Sequence, residues 1–272
     1  MFKTRLLSGI VLVILAVAVL YYGGIVTLMA TMLLALGGVF ELLRIYKLNK
    51  SLLGYMAYAI TIAGYLLLYF RQEQFILPCV ILFVLIELAI YVLTYPKYCD
   101  KDIAVVFMAV IYVSLLMSYV YMIRRMDNGG ALVVMIFVCS WVNDTCAYCA
   151  GVTLGKHKMC PKLSPKKSLE GLAGGLLGSA LFAMAYGIFF NKYVYKLNNA
   201  PLIFAIVGVC GAMAAVIGDL AASAIKRNND IKDYGKLIPG HGGVLDRFDS
   251  IIFTAPMVYY CFTFLIEYIG GK

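Results

Sequence analysis

Nine stretches of about 20 predominantly apolar residues follow one another along this chain, at roughly 5–22, 25–43, 52–70, 74–95, 103–123, 131–151, 169–190, 202–225 and 250–269. A helix of that length crosses a hydrocarbon layer, so the chain is expected to span a membrane about nine times. Composition agrees: 63% of the residues are hydrophobic and mean hydropathy is +0.91, outside the soluble range. The expected fold is an all-α polytopic membrane protein, a single integral membrane domain over 1–272 with no soluble domain appended. The N-terminus, Met1 to Arg5 before an apolar run, imitates a signal peptide. No small-residue cleavage site stands out and further spans follow at once, so this stretch reads as a retained first helix.

Net charge is +9, which taken alone would suggest a nucleic-acid partner. The position of the charge argues otherwise. With the N-terminus placed inside, 17 of the 23 Lys and Arg residues fall before the first span and in 44–51, 96–102, 152–168 and 226–249. The positive-inside rule then puts the N-terminus in the cytoplasm, the C-terminus outside, and loops 152–168 and 226–249 on the cytoplasmic side. Eight cysteines lie mostly within or at the ends of apolar spans. Cys146 and Cys149 form a C-x-x-C inside a span, with no second pair and no suitably spaced His, so they read as small packing residues rather than a zinc site.

Residues 1–123 read as scaffold spans, and 124–272 as the spans that carry chemistry. Glu41 stands three residues from Arg44, as a local ion pair would. Glu87 falls in mid-span, where a carboxyl is costly and a functional suspect. Arg124 and Arg125 read as outer-side anchors. In the sixth span Asp144 follows S-W-V-N and leads into D-T-C-A-Y-C-A-G. Ser140, Asp144 and Ala147 recur at helical spacing, and a carboxylate buried on that small-residue stripe needs a cation or a donor beside it.

The next loop, Gly155 to Gly171, holds five lysines and no acid before Glu170. Gly151, Gly155 and Lys156 imitate a phosphate-binding P-loop, but the spacing is one short and His157 stands where Ser or Thr is required. Two readings remain. One is an inside loop that holds anionic lipid. The other is an anion site, since Ser168 and Glu170 of S-P-K-K-S-L-E-G open a helix beside lysines. Small-xxx-small pairs follow (Gly171/Gly175, Gly174/Gly178, Gly208/Ala212, Gly211/Ala215, Ala214/Gly218) and read as close helix packing.

Asp219, Ser223, Lys226 and Arg227 fall on one face of the eighth span, with Asp219 about 10 Å inside Lys226. That depth suits a site reached by lipid from one side and by a soluble ligand from the other. The helix is expected to give way at Asn228 and Asn229. Nine charged residues then crowd the 24 positions from Lys226 to Asp249, five basic and four acidic, around four glycines, a proline and His241. Acids and bases around a Gly-rich turn suit a phosphate and a metal ion. Asp249, followed by Ser250, also reads as the N-cap of the last span.

These residues resemble the phosphatidate cytidylyltransferase (CDP-diacylglycerol synthase) family. Its signature is similar to S-x-[apolar]-K-R-x₄-K-D-x-[small]-x₂-[apolar]-[P/G]-x-H-G-G-[apolar]-x-D-R-[apolar]-D, which Ser223 to Asp249 match at every specified position. D-T-x-A-Y-x-x-G and S-P-K-K-S-x-E-G upstream are also similar, so the motifs cover about 140–255. The resemblance implies transfer of a cytidylyl group from CTP to phosphatidic acid, with Mg²⁺ as cofactor; a second metal ion and a homodimer are compatible with it. By position it implies Asp219 and Asp246 as metal ligands, with Asp144 a third. The implied catalytic set is Asp144, Lys226, Arg227, Asp233, His241, Arg247 and Asp249. The implied substrate-binding set is Ser164, Lys166, Lys167, Ser168, Glu170, Ser223, Lys232, Gly242 and Gly243. Lys167, Lys226, Arg227, Lys232 and Arg247 would hold phosphates, and N–H groups around Gly240 to Gly243 would cradle pyrophosphate. His241 would donate to that leaving group or serve as a turn residue. The expected partners are CTP, phosphatidic acid and membrane lipid, with no nucleic acid, at a bacterial plasma (inner) membrane with the site facing the cytoplasm. A CTP-dependent lipid kinase of the polyprenol type shares D-R and K-D elements. An ion-coupled transporter would also carry intramembrane carboxylates, but here the charges lie on one side and do not recur in the first half.

Overall fold

The computed structural model describes residues 2–237, 240 and 242–270, with side chains from 9 onward. Among them run nine helices: α1 (Phe2–Tyr22), α2 (Gly24–Ile45), α3 (Leu52–Tyr69), α4 (Ile76–Leu93), α5 (Asp100–Arg125), α6 (Gly129–Leu154), α7 (Leu169–Tyr193), α8 (Ala200–Asn228) and α9 (Leu245–Tyr268). From α2 onward all eight are long and apolar enough to cross a membrane, whereas the described stretch of α1, Gly9–Tyr22, is shorter. The protein is a polytopic, all-α membrane protein. The only strands among the described residues form an antiparallel hairpin, β1 (Lys158–Cys160) with β2 (Ser164–Ser168), in the lysine-rich loop.

Local sequence accounts for many of the boundaries. Gly23, at φ 65, takes a conformation closed to most side chains and joins α1 to α2 without a linker. Ser51 and Ser168 cap α3 and α7, accepting from the Gly54 and Gly171 N–H groups at 3.1 Å each. A proline stands in the first turn of α8, where its missing N–H costs nothing. Two spans are not regular: α5 is a π-helix over Ala109–Leu115 and α6 over Val138–Val142.

By internal contacts the chain forms two units. The first is Met1–Tyr121 with Asp233–Arg247, so it takes in the Gly-rich loop and the first turn of α9. Here α2 packs against α3 and against the π stretch of α5. Along α4 only Phe83 and Glu87 are buried, and Oε1 of Glu87 has no hydrogen-bond partner among the described residues. The second unit is Met122–Lys232 with Phe248–Lys272. Its centre is α7 packed on α6 and α8. Phe204 of α8 sits between Phe190 of α7 and Phe262 of α9, with ring centroids 5.0 Å away on each side. The glycine stripes are helix contacts: a Cβ on Gly178 would collide with Cys146, and one on Gly208 with Ala183. All eight cysteines are free thiols.

Candidate functional site

In the first unit the charged loop before α9 folds back on itself. Oδ2 of Asp246 accepts from the backbone N–H of Tyr234 at 2.7 Å and from that of Gly243 at 2.9 Å, tying the two ends together. Gly242 lies between at φ 86, and a Cβ there would come 2.8 Å from Oδ2 of Asp246. Side chains of α2 meet this loop. Glu41, 4% exposed, accepts from the Val244 and Leu245 N–H groups at 3.0 Å, one on each oxygen. Arg44 donates to the Tyr234 carbonyl at 2.7 Å. Hydrogen bonds to a charged group contribute roughly 1.5–3 kcal/mol each, which offsets part of the cost of burying the carboxylate. Asp233 and Arg247 of the same unit are exposed.

In the second unit the lysine loop meets α8. Lys167, on β2, forms an ion pair with Asp219, both side chains about one-third exposed (28% and 34%). Asp144 feels the charges of Asp219 and Lys167, and Asp249 those of Asp219, Lys226 and Asp144. Three carboxylates from α6, α8 and α9 thus lie within electrostatic reach of one another, with lysines on their flank. At the end of α8, Arg227, Asp230, Ile231 and Lys232 line an open recess of about 360 Å³. Glu170 faces the loop start: it accepts from the N–H groups of Lys156 (3.1 Å) and His157 (3.2 Å) and pairs with Nδ1 of His157 at 2.6 Å. Lys166 is exposed, Ser164 and Ser223 are half-buried, and Ser168 is buried as the α7 cap.

Three sequence-based readings change. Asp249 is not the N-cap of the last helix, because α9 starts at Leu245 and Asp249 lies inside it, half-buried. Asp144 is not buried on a stripe with Ser140. Ser140 is 1% exposed and bonds Thr254 Oγ1 at 3.4 Å, whereas Asp144 is exposed. The π stretch between them breaks the spacing that regular helix would impose. Glu41 and Arg44 are not the local ion pair expected: each instead bonds the loop some two hundred residues away. The available signal was a carboxylate in an apolar span one turn after Gly37 and Gly38, on the same helix face. His241 lies outside the described residues. Asp219 belongs to the second unit and Asp246 to the first.

Among the described residues no three His, Cys, Asp or Glu side chains form a ready-made metal cage. The donors present are carboxylate oxygens in mutual repulsion, which fit a hard divalent ion. Mg²⁺ in particular takes one or two carboxylates and completes its shell with water and substrate phosphates.

The profile of the Cytidylyltransferase family matches residues 3–265 of the chain. A phosphatidate cytidylyltransferase of Staphylococcus aureus (strain COL) is 34% identical over 266 residues, which is 94% of this chain and 97% of that protein. Those of Staphylococcus saprophyticus and Staphylococcus epidermidis (strain ATCC 35984) are 32% and 31% identical over 264 residues, with the same coverage. Matched from end to end in this way, and carrying the charged loop and lysine hairpin just described, the chain belongs to the cytidylyltransferase family.

Proposed function

We propose that the protein transfers the cytidylyl group of CTP to phosphatidic acid, giving CDP-diacylglycerol and pyrophosphate. The observation that carries the reading is the meeting of Lys167 with Asp219, beside Asp144 and Asp249. No covalent enzyme intermediate is needed. A phosphate oxygen of phosphatidic acid attacks the α-phosphorus of CTP, and the bond to the β-phosphate breaks with its electron pair leaving on pyrophosphate. The protein's work is then alignment and charge neutralisation. Lys167, Lys226, Arg227 and Lys232 bind phosphate oxygens, with Arg227 and Lys232 doing so at the recess they line. Asp219 holds Lys167 in place until substrate arrives. By the motif, Asp219 and Asp246 would hold Mg²⁺, with Asp144 a third, and the ion would supply further positive charge to the phosphates. Gly242 offers its backbone N–H in a turn too tight for a side chain, and Gly243, whose own N–H is held by Asp246, lets a phosphate approach the backbone closely. The partners are the two substrates and membrane lipid; no nucleic acid is called for.

The test is direct. Purified protein with CTP, Mg²⁺ and phosphatidic acid should yield pyrophosphate and CDP-diacylglycerol in equal amounts. CDP and a phosphorylated lipid from an alcohol acceptor would identify a kinase, and no turnover at all would defeat the reading.

The same reading puts the site on the cytoplasmic side of the plasma membrane, because CTP is made there and, with the N-terminus placed inside, 17 of 23 basic residues fall on that side. In a cysteine-depleted background, Tyr195→Cys should react with an impermeant thiol reagent on intact cells. Leu163→Cys and Lys236→Cys should react only after the membrane is opened. Tyr195 and Lys236 are exposed in the structure, so reagent access is not the obstacle. Labelling of position 236 from outside would overturn this orientation.

A further inference from the structure

We infer that Glu41, inside the second helix, is a positioning residue for the reaction: it holds the turn carrying Gly242, Gly243 and Asp246 in its working shape. The inference rests on the function proposed above. The first N–H groups of any helix lack an acceptor within it, and a residue just before the helix usually supplies one. Before α9 stands Val244, whose side chain cannot accept. Glu41 does so from another helix, bonding Val244 N–H and Leu245 N–H with its two oxygens. A negative charge there also meets the positive end of the helix dipole. One turn before Glu41 on the same face, Gly37 and Gly38 lie against the side chains of Val244 and Leu245. A turn after it, Arg44 holds the Tyr234 carbonyl at the other end of the loop. The Asp246 carboxylate then closes the loop between Tyr234 and Gly243. A local cap would have served helix stability alone. A charged residue kept in an apolar span is costly, and here both its oxygens are committed to the segment that carries the Gly-Gly turn and Asp246.

The full-length protein in detergent tests this. A glutamine at 41 offers one acceptor oxygen to two N–H groups and turns its own NH₂ toward a donor. In Glu41→Gln, amide hydrogen exchange over 242–247 should quicken while the rest of α2 and α3 keeps its protection. The ratio kcat/KM for CTP should fall on the order of 100-fold, as an ångström-scale misplacement does, with KM for CTP raised and KM for phosphatidic acid unchanged. Glu41→Asp, which keeps the charge on a shorter stem, should fall between. It carries the same measurements if the glutamine variant does not accumulate. Unchanged exchange over 242–247 would overturn the inference. So would quicker exchange with both KM values unchanged, since a purely structural cap lowers only the fraction of folded enzyme. A wild type that makes no CDP-diacylglycerol would overturn the proposed function itself, a failure told apart because it lies in the unmutated protein.

Discussion

Asp219→Asn is expected to lower the rate of CDP-diacylglycerol formation by at least about 100-fold, in the range seen when one electrostatic contact to a transition state is removed. Asp219 is the acid that Asp144 and Asp249 both feel and the one that Lys167 pairs with, so its charge sits at the centre of the second unit's cluster. Its side chain is 34% exposed and asparagine has the same shape, so folding should be spared. Thermal unfolding in detergent within a few degrees of wild type would confirm that. Lys167→Ala should do less: a higher KM for CTP or for phosphatidic acid, because other lysines remain and the cluster keeps its acids. Activity within threefold of wild type for Asp219→Asn at saturating Mg²⁺ would remove this cluster from the chemistry.

Gly243→Ala should be nearly as damaging, for a steric reason. A Cβ at that position would overlap both carboxylate oxygens and the carboxyl carbon of Glu41. Neither side can yield cheaply: Glu41 is held by two N–H groups, and the Gly243 N–H is itself bound to Asp246. Overpacking a close-packed site costs about 1–3 kcal/mol, here concentrated on the turn proposed to hold pyrophosphate. The expected result is at least a tenfold loss in kcat/KM for CTP, roughly the rate equivalent of 1.4 kcal/mol. Gly64→Ala is the control, because a Cβ there meets nothing within 4 Å. Wild-type kinetics for Gly243→Ala would show that the turn tolerates the methyl group and that the fit to Glu41 is not needed.

The charged residues that cluster in the second unit were legible before any coordinates. Asp144, Lys167, Asp219, Lys226 and Asp249 were picked out by chemistry, helical spacing and motif, and they gather in one unit. The opening of a helix at Ser168 and the end of α8 near Asn228 were both read from local sequence. The misreadings have a common cause, which is contact over long sequence distance. Glu41 looked like a local partner of Arg44, yet both bond the loop before α9. Asp249 looked like a cap because nothing local showed that the helix could start earlier. The π stretch before Asp144 shifts the register that a regular helix through those five residues would have given.

Hydropathy is a local, additive property, so the chain by itself determined that it is a helical membrane protein and roughly where each span lies. Turn and cap chemistry is local too, and the motif residues are few and fixed in spacing. What only the tertiary structure decided is which helix serves which loop. Glu41 and Arg44 belong by sequence to a span that looks like plain scaffold, and their partners Tyr234, Val244 and Leu245 carry no feature that points back to them. The bonds are backbone N–H and C=O groups on one side, identical at every residue, so composition cannot reveal them. They are chosen when α2 packs close enough, over Gly37 and Gly38, for a buried carboxylate to replace the cap that α9 lacks in its own sequence.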